Sequence, residues 1–206
     1  ETDFDHVNRA KPLQVHSHSV LAIRRSCFAL ALLMTLTAIL ACSSDDGSDE
    51  GGFKKVSPSD QTYSIEDFRT VGLKTTKQYD VEGLRGGLDA HFGFWRPDGQ
   101  DPQDYELRFY ASHDAAVEQG TPLAEEVTGE DAVLGADDTT WSEGAKDRRA
   151  QGGSTGSNSA RFGTVYPRYG DYAIIGNVVM LCQGEDSTKS LGHCSALIDA
   201  LQATGS

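Results

Sequence analysis

The residue types best suited to contacting a ligand lie in an irregular segment, residues 135–160. Its first half contains Trp141, Lys146, Arg148 and Arg149. Guanidinium groups bind carboxylates and phosphates in a bidentate manner, and an indole ring offers a face for stacking. Long connections without regular pattern are typically functional or disordered. These four residues therefore predict a site for a small anionic or sugar-like ligand. The alternative is that Trp141 closes the edge of the core and the basic side chains pair with nearby acids.

Histidines are the second candidate group. His91 lies two positions after Asp89 on a predicted strand, whereas His113 and His193 belong to different predicted helices. No two of them have the i, i+4 spacing that places two metal ligands on one helical face. The run 112–114 contains Ser, His and Asp, but triad members meet through the fold and Ser112 suits a helix N-cap. The sequence therefore predicts no metal site and no catalytic residues.

The last cysteines of the chain are Cys182 and Cys194. Cys182 ends a predicted strand and Cys194 lies about two turns into the helix that returns over it. An even pair in an oxidising compartment is a disulfide candidate. The alternatives are a redox-active dithiol, which lacks the usual CxxC spacing, and half of a metal site, which lacks a second pair of ligands. A structural disulfide is the favoured interpretation.

The composition excludes several functions. The chain has 18 basic and 31 acidic residues, a net charge of −13, which argues against nucleic acid as a partner. It contains no nucleophile elbow, no P-loop and no dinucleotide fingerprint, so no cofactor is predicted. A non-catalytic protein is favoured over an enzyme. No protein partner can be named from these residues.

The N-terminal part of the chain contains a predicted targeting signal. Arg24 and Arg25 precede an uncharged run rich in Leu and Ala, which ends in Ile39-Leu40-Ala41-Cys42. This order resembles the signal peptide and lipobox of bacterial lipoproteins. The resemblance implies cleavage before Cys42, lipidation of its thiol and attachment to the cell membrane at the extracytoplasmic face. The alternatives are a buried helix or an uncleaved anchor, and the run is shorter than the roughly 20 residues that a spanning helix needs.

Four regions follow from these features. Residues 1–19 are predicted to be upstream translation or disordered, and residues 20–41 a signal peptide. Residues 42–62 are predicted to contain the lipid-anchored Cys and a polar tether rich in Gly, Ser and Asp. Residues 63–206 are predicted to form a single domain.

Hydrophobic periodicity predicts an α+β domain. The predicted elements are a helix at 64–72, strands at 88–95 and 105–111, a helix at 113–127, strands at 160–166 and 172–182, and a helix from Asp186. This order favours a two-layer sandwich, in which a four-stranded, mainly antiparallel sheet has helices mostly on one face.

The segments 105–110 (YELRFY) and 169–174 (YGDYAI) are similar to sequences of small uncharacterised bacterial lipoproteins of unknown function. The resemblance covers residues 63–201 and implies no catalytic residue. The sequence thus predicts a lipid-anchored extracytoplasmic binding or interaction module. The alternatives are a small cell-envelope hydrolase or transferase and a purely structural envelope lipoprotein.

Overall fold

A computed structural model describes residues 53–151 and 165–204, all within the unit Gly51–Ser206. Its strands are β1 (Val56–Ser57), β2 (Lys74–Gln78), β3 (Asp89–Trp95), β4 (Gln103–Phe109), β5 (Arg149–Gln151), β6 (Val165–Pro167), β7 (Tyr169–Ile175) and β8 (Val178–Gln183). Its helices are α1 (Ile65–Thr70), α2 (His113–Ala115), a π-helical turn (Ala116–Gly120), α3 (Thr121–Glu125) and α4 (Ser187–Thr204). The predicted signal peptide and the first part of the tether lie outside the described residues.

The α+β class is confirmed, but the predicted four-stranded sheet is wrong. The main sheet has six strands in the order β1-β7-β8-β4-β3-β2, and β5 pairs separately with β6. The main sheet is mixed, because β1 runs parallel to β7 whereas the other pairs are antiparallel. Two strands of the main sheet that the sequence did not predict, β1 and β2, form its edges. β1 has two residues and lies within the predicted tether, and β2 is polar and mostly exposed, so neither shows a hydrophobic pattern.

The apolar run predicted as one strand at 172–182 is a hairpin. The run reverses at Gly176 and Asn177, so that β7 and β8 pair along their length. Gly176 has φ of +50°, a conformation that favours glycine, and Gly-Asn is a typical two-residue hairpin turn. Asn177 is buried and its side-chain amide donates to the carbonyl oxygens of Tyr63 and Tyr110. The turn is therefore buried, and it is hydrogen-bonded to the segment before α1 and to the residue that follows β4.

Both faces of the main sheet are covered, which corrects the predicted two-layer arrangement. One face, here called the helical face, packs against α1 and α4, and its buried side chains include Tyr105, Leu107, Phe109, Met180 and Leu197. The opposite face, here called the loop face, packs against the segment from α2 to α3 and the connection that follows it. Strands buried on both sides read as continuous apolar runs, as β8 does.

The short helix α1 shows how local sequence sets an element. Ser64 is its N-cap, and it forms a capping box with Asp67. The Asp67 carboxylate accepts hydrogen bonds from the Ser64 amide and hydroxyl. The helix then buries Phe68 against Tyr63 and Phe109 in edge-to-face contacts, which fix α1 on the helical face.

Candidate functional site

Trp141 lies in the interior, on the loop face of the sheet. Its ring is 3% exposed and packs edge-to-face against Tyr79, and its indole N–H donates to the carbonyl oxygen of Asp80. A stacking face for a ligand needs access to solvent, which this ring lacks. The contacts support the alternative that Trp141 closes the core.

Arg148 is also buried, and its side chain binds Glu106 of β4. Arg148 Nε donates to Glu106 Oε2 over 2.9 Å, and Nη2 donates to Oε1 over 3.0 Å. The guanidinium also donates to the carbonyl oxygens of Trp141 and Glu143, over 3.0 and 2.7 Å. This bidentate pair joins the connection before β5 to the centre of the sheet.

A second guanidinium contacts the same carboxylate. Arg108 lies two positions along β4 from Glu106, and its Nε donates to Oε1 over 2.8 Å. The guanidinium carbons of Arg108 and Arg148 lie 5.1 and 4.7 Å from the centroid of the Trp141 ring. The side chains of Glu106, Arg108 and Arg148 are at most 1% exposed. Together with Trp141 they form a structure here called the buried ion cluster.

Electrostatics within this cluster favour charged groups despite burial. Burial opposes the charge of Glu106, but the guanidinium groups of Arg108 and Arg148 outweigh it and hold the pKa of Glu106 below its ordinary value. Burial, with the nearby Glu106 charge, raises the pKa of Tyr169 well above the ordinary value. The tyrosine hydroxyls of the loop face therefore stay neutral hydrogen-bond donors beside the ion cluster.

The predicted four-residue ligand site is thus dispersed. Arg149 Nε donates to the carbonyl oxygen of Leu134, and Lys146 is exposed. The structure favours internal pairing for Trp141 and Arg148, whereas a ligand contact by Lys146 stays a prediction. Glu106 and Arg108 were missed as partners. Their signal is a pair of opposite charges two positions apart, on one face of a predicted strand.

The candidate histidines do not meet a nucleophile. His91 Nε2 lies 2.8 Å from Asp89 Oδ2, and burial of Asp89 is outweighed by hydrogen bonds from His91 and Gln78 that lower its pKa. His113 Nδ1 lies 2.9 Å from the carbonyl oxygen of Gly176. Ser112 accepts from the amide of Ala115, so it acts as an N-cap. In residues 53–151 and 165–204, no histidine is hydrogen-bonded to a hydroxyl or a thiol.

Cys182 and Cys194 form the predicted disulfide, with their Cα atoms 5.7 Å apart. The bond joins the end of β8 to the second turn of α4. Both residues are fully buried on the helical face, where they belong to the apolar cluster. A buried bridge of this kind acts as a structural crosslink.

A pocket of about 530 Å³ opens beside the start of α4. Three acidic side chains, one tyrosine and one serine are found in its lining, which consists of Gly129, Glu130, Tyr166, Pro167, Gly170, Glu185, Asp186 and Ser187. Within residues 53–151 and 165–204, no lysine or arginine lines it. Carboxylates and hydroxyls accept hydrogen bonds from hydroxyl and amine groups, and an anion here would meet like charge.

The wall of this pocket is held by a hydrogen-bonded network. Ser187 Oγ donates to Asp171 Oδ2 over 2.5 Å, and Lys55 Nζ pairs with Oδ1 over 2.6 Å. The Gly170 amide donates to Ser190 Oγ, which in turn donates to the carbonyl oxygen of Cys182. The start of α4, the start of β7 and the segment before β1 are thereby fixed together, which gives the pocket a preformed wall.

The described part of the chain lacks two further features. It contains no group of three or more His, Cys, Asp or Glu side chains placed to hold a metal ion. Among these same residues no helix has the length and apolar character to span a bilayer.

The chain matches a protein family. Residues 64–203 match a family of unknown function, DUF6810, and the chain therefore belongs to that family. No curated protein and no solved structure matches it. The match begins at the N-cap of α1 and runs to the last turn of α4, so it includes both the buried ion cluster and the pocket.

Proposed function

We propose that this chain is a lipid-anchored, non-catalytic binding module at the extracytoplasmic face of the cell membrane. The pocket beside α4 carries the binding part of the proposal, because its walls are hydrogen-bonded in place and its lining combines an aromatic ring with several acceptors. The lipobox-like Ile39-Leu40-Ala41-Cys42 supports the anchor. A disulfide suits a protein that works outside the reducing cytoplasm.

The lining favours a neutral, polyhydroxylated ligand, the sugar-like class. The carboxylates of Glu130, Glu185 and Asp186 accept from ligand hydroxyls, and the Tyr166 ring offers an apolar face. Carboxylates also disfavour the anionic ligand that the basic residues of the sequence suggested. Catalysis is not supported, because the histidines of the described residues bind carboxylate or carbonyl oxygens rather than a nucleophile.

Ligand binding is tested by saturation-transfer NMR with a panel of neutral mono- and disaccharides. We expect at least one to bind the wild type, and Glu130→Gln to weaken that binding because it removes a charged acceptor from the rim. Glu118→Gln is the matched control, since Glu118 is exposed on the π-helical turn and does not line the pocket. The pocket assignment fails if no sugar binds, or if the two variants behave alike.

The anchor is tested by metabolic labelling with a fatty-acid probe in a bacterial host. We expect label on the wild type and none on Cys42→Ala. Cys27→Ala is the control, because Cys27 lies within the predicted signal peptide. Equal labelling of Cys42→Ala and the wild type would contradict lipidation at Cys42.

A further inference from the structure

The buried ion cluster has more positive than negative charge. Arg108 and Arg148 share the single carboxylate of Glu106, and all three side chains are removed from solvent. A buried charge without a counter-charge is strongly disfavoured. One positive charge of the cluster is therefore left to be balanced by something other than Glu106.

The excess charge lies on Arg108 rather than Arg148. Arg148 bonds to both oxygens of Glu106 and to two carbonyl oxygens. Arg108 bonds to one oxygen of Glu106 through Nε, and its Nη2 lies 2.7 Å from the same oxygen. Its Nη1 is buried and has no hydrogen-bond partner, and Nη2 makes no hydrogen bond of good geometry.

A tyrosine hydroxyl beside Arg108 is also a buried donor without an acceptor. Tyr110 follows directly after β4, two positions beyond Arg108, and its hydroxyl lies within reach of the Arg108 guanidinium. The Tyr110 hydroxyl is buried, and its proton has no acceptor, since Arg108 can only donate. Buried donors are almost always satisfied in folded proteins, so two neighbouring donor groups without acceptors indicate a bound acceptor.

The space around these donors limits the size of the occupant. Gly120 of the π-helical turn packs directly over Tyr110, and a Cβ atom there would lie 2.9 Å from the hydroxyl and 2.6 Å from a methyl group of Val179. The absence of a side chain at Gly120 lets the turn close over the ring. An occupant must therefore be small. It must also be negatively charged to balance Arg108, a requirement that a water molecule does not meet.

We propose that the loop face of the domain holds a monatomic anion, chloride, between the Arg108 guanidinium and the Tyr110 hydroxyl. The anion neutralises the excess charge of the buried ion cluster and accepts hydrogen bonds from Nη1 and from the hydroxyl. It is a structural ligand of the fold, separate from the pocket beside α4. Its presence explains how two arginines can be buried on one glutamate.

The test is thermal and urea unfolding of the purified domain in sodium chloride, sodium bromide and sodium gluconate at equal ionic strength. A ligand that binds only the folded state raises the folding equilibrium constant in proportion to its concentration once it is well above Kd. We expect up to a tenfold rise for each tenfold rise in chloride, a similar response to bromide, and none to gluconate, which is too large.

Two variants locate the site. Tyr110→Phe removes one donor and should weaken the halide response, whereas Tyr105→Phe should retain it, because the Tyr105 hydroxyl lies on the helical face and donates to the carbonyl oxygen of His193. Arg108→Met leaves Glu106 paired with Arg148 and should abolish the response. Bromide soaked into crystals should give an anomalous peak beside Arg108.

Three outcomes would overturn the proposal. Equal stability in chloride and gluconate would mean that water alone occupies the site. An undiminished halide response in Tyr110→Phe would place the binding elsewhere, and this variant remains informative even if Arg108→Met does not fold. A bromide peak only at the protein surface would have the same meaning.

Discussion

The two faces of the central sheet are stabilised in different ways, although β4 contributes to both. Its odd-numbered residues Tyr105, Leu107 and Phe109 enter the apolar cluster of the helical face. Its even-numbered residues Glu106 and Arg108 enter the buried ion cluster of the loop face. The helical face depends on apolar burial and is crosslinked by a disulfide, whereas the loop face depends on paired charges and on donors that need acceptors.

This difference means that the two faces should respond differently to substitution. Apolar packing tolerates many side chains of similar volume. A buried ion pair tolerates almost none, because removing one partner leaves the other charged and desolvated. The loop face should therefore tolerate fewer substitutions than the helical face. Its ion pair also holds the connection that contains Arg148 at one position on the sheet.

The largest effect is expected for Glu106→Gln. The change keeps the shape of the side chain but leaves the guanidinium groups of Arg108 and Arg148 without a negative charge, at a cost of about 3–5 kcal/mol in the free energy of unfolding. Urea denaturation measures it. Glu66→Gln is the control, because Glu66 pairs with Arg69 while 71% exposed, and an exposed pair contributes under about 1 kcal/mol. Similar losses in both variants would contradict the cluster's role.

The next effect tests the helical face. Cys194→Ser removes the bridge to Cys182 and should lower the free energy of unfolding by about 2–4 kcal/mol. The same urea titration reports it, and the wild type measured with reductant should approach the variant. Two free thiols found by mass spectrometry after alkylation of the unreduced protein would show that no bridge exists.

The pH dependence of the free energy of unfolding also distinguishes the loop face from the helical face. The pKa of Glu106 is lower in the folded than in the unfolded state, so its contribution to stability is present above the ordinary glutamate pKa of about 4.3 and is lost as the pH falls through the folded-state pKa. We expect the wild type to lose stability on acidification below about pH 4, and Glu106→Gln to lose less. Asp89 contributes in the same direction, so some acid dependence should remain. Parallel curves for the two proteins would exclude Glu106 as a source.

The smallest effect is expected at Lys146. Its side chain is exposed, so Lys146→Ala should change the free energy of unfolding by less than about 0.5 kcal/mol. Arg148→Ala, two positions away, should instead unfold the domain or destabilise it by several kcal/mol, since it removes a bidentate partner of Glu106. A large effect at Lys146 would show that the surface of this connection is also part of the fold.

Features that depend on neighbouring residues could be predicted from the sequence. The capping box of α1 and the disulfide from β8 to α4 follow from spacing within one turn or one strand–helix unit. Side chains of β4 alternate between the two faces of the sheet, but alternation does not say whether the charged side faces water or a second layer. Glu106 and Arg148 are 42 positions apart, and no local pattern indicates that they meet. The edge strands β1 and β2 could not be predicted for the same reason, because only pairing with distant strands defines them.

The parallel pairing of β1 with β7 has a consequence for the order in which the chain can be completed. Lys55 and its partner Asp171 are 116 positions apart, and β1 has no neighbour other than β7 in the main sheet. A chain is synthesised N-terminus first, so β1 stays unpaired until most of the domain, including β7, has been synthesised. On the proposed route to the membrane, cleavage before Cys42 and lipidation of its thiol can therefore precede the pairing of β1 with β7. The strand nearest the proposed anchor thus depends on a partner that lies far along the chain.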